Sequence, residues 1–86
     1  MIETSPQSIH STVTEVLVSI TGAEEIASAP DLEIRELGLL DSLGVVNLIV
    51  ALCERLGVDI SPAELEETDV ATPRAIEEFV QRKLGK

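Results

Sequence analysis

An aspartate, a serine and a leucine stand at positions 41–43, shortly ahead of an apolar run over 48–53. If a helix begins there, the Ser42 hydroxyl sits in its first turn. A serine at a helix N-terminus is usually exposed, and an anion esterified to it meets free backbone N–H groups and the positive end of the helix dipole. Ser42 therefore suits a phosphate, its plain alternative being a cap residue and no more. Asp41 has a similar plain alternative as an N-cap carboxylate. Other chemistry is scarce. The sole histidine, His10, and the sole cysteine, Cys53, lie in different segments, so nucleophile, base and orienter do not assemble. No Cys/His pair has ligand spacing, the acids are scattered, and no EF-hand loop is present. The chain is expected to be no enzyme and to hold no metal.

Positioning Ser42 requires a helix that starts at Asp41-Ser42. That helix is predicted to continue to Leu56 and to stop at Gly57, a left-handed C-cap residue. Ahead of it, Ser5-Pro6 reads as a cap and first helical residue. Ile9, Val13, Val16, Leu17 and Ile20 then recur at helical spacing, giving a first helix over 6–20 closed by Thr21-Gly22. The stretch up to Leu40 mixes acids with Pro30 and Gly38 and reads as a long loop with one turn of helix, packed through Ile26, Leu32, Ile34 and Leu37. Ser61-Pro62-Ala63-Glu64 combines a capping box with proline at the first helical position and predicts a short third helix over 62–67. Thr72-Pro73 starts a last helix with Ile76, Phe79 and Val80 on its buried side. No strand alternation, internal repeat or low-complexity tract is present. The expected fold class is all-α: one four-helix bundle over residues 1–86.

The second helix carries more apolar surface than one core face needs. At about 100° per residue, Val45, Leu48, Ile49, Leu52 and Leu56 share one sector, while Leu43, Val46, Val50 and Cys53 share another. The first is a core stripe. The second is either buried by helices on two sides or an exposed stripe that docks partners. Gly44 costs about 1 kcal/mol relative to alanine inside a helix. It is accounted for equally by close approach of an attached group or of a partner backbone and by a tolerated surface glycine.

Composition narrows the partners. At 86 residues there is room for one core without staples, and a hydrophobic fraction of 44% is too high for a disordered tail. Sixteen acids against six bases, with Phe79 the only aromatic residue, exclude nucleic acid as a natural partner. The net charge of −10 either speeds encounter with basic protein surfaces or only maintains solubility. The run over 48–53 is too short to span a bilayer. A lone cysteine and the absence of a leader pattern make a reduced, cytoplasmic setting the default.

The segment Gly38-Leu39-Leu40-Asp41-Ser42-Leu43, opening an apolar helix after a long loop, resembles the attachment site of acyl and peptidyl carrier proteins. The order of elements and the turn from Gly57 to Pro62 extend the resemblance over nearly the whole chain. It implies 4'-phosphopantetheine, delivered from coenzyme A by a phosphopantetheinyl transferase, on Ser42. Because the transferase activates the hydroxyl, no general base is needed beside the serine, and Asp41 would help the transferase and its metal during loading. It also implies an adenylating acyl or aminoacyl ligase and a downstream acyltransferase or synthase as partners, docking on Leu43, Gly44, Val46, Asn47, Val50 and Cys53. Gly44, Asn47 and Cys53 stand where fatty-acid carriers often have acids, so docking is expected to be apolar. Gly38 to Ser42 with Gly44, Ala51-Leu52, Gly57 and Thr72-Pro73 with Ile76 are closer to D-alanyl carrier proteins and to stand-alone aminoacyl carriers of natural-product pathways. Val70-Ala71 replaces a tryptophan common in the D-alanyl group. The expected role is thus an aminoacyl carrier in secondary-metabolite biosynthesis. Its alternatives are a D-alanyl carrier for cell-wall polymers and an unmodified helical adaptor.

Overall fold

Thr21 and Gly22 end the first helix as their chemistry dictates. The Thr21 hydroxyl donates back to Leu17 O at 2.8 Å and accepts from Ala23 N–H at 3.1 Å, while Gly22 turns the chain at φ 73°. The computed structural model describes residues 6–85. The Ser5 cap expected for this helix lies outside them. Within them the α-helices are α1 (Pro6–Thr21), α2 (Ser42–Leu56) and α3 (Pro73–Lys83), and α1 packs against both others. Ile9, Val13, Val16 and Leu17 of α1 are buried, as their spacing predicts.

The connection from α1 to α2 is a packed loop with one 3₁₀ turn, Glu24–Ser28, which buries Ile26. Its anchor is Ile34, fully buried, whose N–H donates to Ala71 O at 3.0 Å. Ile34 O in turn accepts from Leu39 at 2.9 Å and from Leu40 at 3.1 Å, folding the chain back over itself. That fold-back buries Leu40 and leaves Leu37, which the sequence places among the packed loop residues, 60% exposed at the outside of the turn.

The α2 helix begins and ends as expected. Asp41 is its N-cap, accepting from Gly44 N–H at 2.7 Å, and Gly57 closes it at φ 67° with its N–H on Cys53 O. The last helix is equally conventional: the Thr72 hydroxyl accepts from Ala75 N–H at 3.1 Å, Pro73 follows, and Ile76, Phe79 and Val80 are buried. Arg82 and Lys83 occupy its last turn, where cations complement the dipole.

The expected third helix over 62–67 does not form. In its place are two 3₁₀ turns, Pro62–Glu64 and Glu67–Val70, so the described residues hold three α-helices and not four. Only half of the capping box at Ser61 forms: Glu64 Oε2 accepts from Ser61 N–H at 2.8 Å, but the Ser61 hydroxyl accepts from Ala63 N–H at 3.3 Å and not from Glu64. A complete box at Glu66 then restarts the chain. Glu66 is extended at φ −105°, ψ 162°, and Asp69 Oδ2 accepts from its N–H at 3.0 Å. An extended residue at 66 cannot be a helix interior, so the segment divides and presents Val70 to the core.

Gly44 is buried against the loop. A Cβ there would lie 2.9 Å from Leu40 Cδ1, 3.2 Å from Asp41 Oδ1 and 3.6 Å from Ile20 Cγ2. Alanine gains about 1 kcal/mol in helix propensity, but Leu40 is itself packed and Asp41 is held by its cap bond. Gly44→Ala is therefore expected to lower the thermal midpoint. A raised midpoint would show that Leu40 and Asp41 yield freely.

Candidate functional site

The start of α2 presents Ser42 at the first helical position, exposed, with no hydrogen bond to its hydroxyl among the described residues. Asp41 takes the Gly44 amide, which leaves the amides of Ser42 and Leu43 without intrahelical acceptors. A free hydroxyl at such an end fits esterification by a phosphate. The geometry supplies no base to activate it: His10 is engaged with Glu77 at 2.8 Å, and Cys53 lies further along α2 with Sγ 3.9 Å from Ile60 O. No metal-holding group of His, Cys, Asp and Glu occurs among the described residues.

The two faces of α2 separate largely as their angles predict. Leu48, Ile49, Leu52 and Leu56 are buried, whereas Leu43, Val46 and Val50 are 69%, 42% and 51% exposed. Asn47 is also exposed, and Cys53 is half-buried at the edge of the stripe. Two positions differ from expectation. Gly44 cannot present itself to a partner, because it is buried under Leu40 and Ile20. Val45 lies at the right angle for the core but is only half-buried, because at its height along the helix the core gives way to an open groove.

That groove, of about 160 Å³, is lined by Arg35, Ser42, Val45, Leu65, Glu66, Glu67 and Val70. It therefore runs from the Ser42 side chain toward the divided segment after α2. Sequence reasoning passed over Arg35. The signal was present, since no other lysine or arginine precedes Arg55. Its Nη1 donates to Leu40 O at 2.8 Å, two residues before Ser42. On its other side is a second open groove that it lines with Glu33, Glu36 and Glu67. There Glu33 is pushed above the usual carboxylate range by its hydrogen bond with Glu36 and by that neighbour's charge.

The phosphopantetheine attachment site family matches residues 11–80. A D-alanyl carrier protein of Latilactobacillus sakei is 34% identical over 68 residues, covering 79% of this chain and 87% of that protein. One from Enterococcus faecalis is 34% identical over 73 residues, 85% of this chain and 94% of its own length. One from Bacillus velezensis is 38% identical over 64 residues, 74% of this chain and 82% of its own length.

The exposed stripe makes a stability prediction independent of any partner. Val46→Asp is expected to leave the thermal midpoint nearly unchanged, as surface changes usually do. Leu52→Asp, which places a charge in the core, is expected to unfold the protein. Equal destabilisation by the two in thermal melts would mean that the stripe is core.

Proposed function

Because the chain belongs to the phosphopantetheine carrier-protein family, we propose that it acts as a single carrier domain that holds a D-alanyl group at Ser42 and presents it to other enzymes. The family's prosthetic group is a covalently attached 4'-phosphopantetheine, and its members tether cargo without catalysing its transfer. The observation that carries the D-alanyl cargo is the similarity to D-alanyl carrier proteins over most of both chains. It favours D-alanine over the natural-product units expected from Val70-Ala71, and carrier over unmodified adaptor.

When bound, the arm supplies a thiol on which an acyl group is held as a thioester. The chain's own residues do the placing. Asp41 fixes the first turn of α2 through Gly44 N–H, so that Ser42 stands exposed where a transferase can reach it. Asp41 is also exposed, as assistance in loading requires. Leu43, Val46, Asn47 and Val50, with Cys53 at the margin, offer the transferase, an adenylating ligase and a downstream acyltransferase a docking stripe beside Ser42. Burying three such apolar side chains contributes about 1.5–3 kcal/mol each before the cost of association is subtracted. The net charge of −10 favours partners with basic surfaces and makes encounter faster at low salt.

The holo protein is expected to gain a D-alanyl mass when incubated with ATP, D-alanine and a D-alanine-adenylating ligase, and to lose it on treatment with hydroxylamine. Val46→Asp is expected to lower the charging rate at an unchanged rate of D-alanyl-adenylate formation by the ligase. Acceptance of other carboxylic acids but not D-alanine, across adenylating ligases, would contradict the cargo assignment.

A further inference from the structure

Among the described residues Arg55, Arg74, Arg82 and Lys83 each have a carboxylate partner, with Glu15, Asp31, Asp69 and Glu64 respectively, whereas Arg35 makes no ion pair. That is unexpected for a guanidinium beside Glu33, Glu36 and Glu67 in so acidic a chain. One of its N–H groups is committed to Leu40 O, and no further hydrogen bond from it occurs among the described residues. The side chain is half-buried, tethered two residues before Ser42, and lines the groove into which Ser42 opens. Among the described residues it is the single basic one on either groove that it borders. We infer that Arg35 binds the phosphodiester by which the arm is joined to Ser42 and so holds the root of the arm along this groove.

This rests on attachment at Ser42. The chemistry matches what is left over on both sides. A phosphodiester on Ser42 places a negative charge beside the Asp41 carboxylate at the edge of a chain of net charge −10, where the nearest compensation is the end of one helix dipole. Arg35 offers a planar fork of free donors, the geometry that suits phosphate oxygens, and charge-assisted bonds of this kind are about twice as strong as neutral ones. Its bond to Leu40 O keeps the guanidinium near the site before the arm is attached, so little side-chain freedom remains to be lost on contact. A role confined to holding the loop would end at that same bond, and the two roles predict different spectra.

The test compares apo and holo forms by NMR, with attachment at Ser42 checked by peptide mapping. Conversion to holo is expected to shift the Arg35 Nε–H resonance and to slow its exchange with water. In holo Arg35→Gln, whose side-chain amide can still bond Leu40 O but carries no charge, the phosphorus resonance is expected to move and narrow as the root of the arm is released. Arg35→Lys is expected to restore it in part. An Arg35 Nε–H signal that is identical in apo and holo protein overturns the inference without recourse to a variant. So does a phosphorus resonance unchanged in Arg35→Gln. An arm mapped to a residue other than Ser42 overturns the attachment reading itself, and this inference with it.

Discussion

One hydrogen bond, from Gly44 N–H to Asp41 Oδ1 at 2.7 Å, decides where α2 begins, and everything at the site follows from that point. A cap of this kind is worth about 1 kcal/mol, small beside the core, yet it sets the residue at which the helix starts. Started one residue later, α2 would have Ser42 as its cap, outside the first turn, while the apolar stripes would stay where residue spacing and core packing hold them. The cap is held from below. Leu40, drawn back over Ile34 by two backbone hydrogen bonds, packs under Gly44 so closely that a Cβ there would force its Cδ1 to shift. The long loop, which has no regular structure of its own beyond one 3₁₀ turn, is thus the base on which the helix start is set.

The spacing of apolar residues makes α2 a two-sided element. Its inner face, from Leu48 to Leu56, packs against α1 and lies beside Ile76, Phe79 and Val80 of α3, whereas Leu43, Val46 and Val50 stay exposed. An unmodified helix with this face would be a plain adhesive surface. With attachment at Ser42 as proposed, the stripe and the tether share one helix, so that docking on the stripe would also fix where the cargo's tether begins. The division of the segment after α2 into two 3₁₀ turns has a parallel consequence. A continuous helix would present one regular ridge, whereas the break at Glu66 lets Leu65 and Val70 line an open groove that reaches Ser42.

Where local chemistry decides the structure, the sequence was sufficient. Thr21-Gly22, Asp41, Gly57 and Thr72-Pro73 each act through their own side chains or backbone freedom, and each stands where its residue type predicts. Ser42 was legible for the same reason, as the first residue of a capped apolar helix. The failures all depend on contacts distant in sequence or on competing local signals. Gly44 was ambiguous because Leu40 and Ile20, which close over it, come from other elements. Val45 has the angle of a core residue, but helical angle says nothing of how far the core extends along the axis. The third helix failed because glutamate at 66 is not a residue type that announces a cap, and its box with Asp69 outweighs continuation of the turn at Ser61. Arg35 was visible as an isolated cation, though its place beside Ser42 requires the fold-back at Ile34.

The central claim is that a hydroxyl set at the first position of α2 is the point of attachment. Peptide mapping by tandem mass spectrometry, after incubation of the apo protein with coenzyme A and a phosphopantetheinyl transferase, tests it directly. The phosphopantetheine mass is expected on the peptide containing Ser42 and nowhere else, and it is expected to be lost entirely in a Ser42→Ala variant whose helical circular dichroism is unchanged. A modified peptide that lacks Ser42, or loading that persists in Ser42→Ala, would contradict the account.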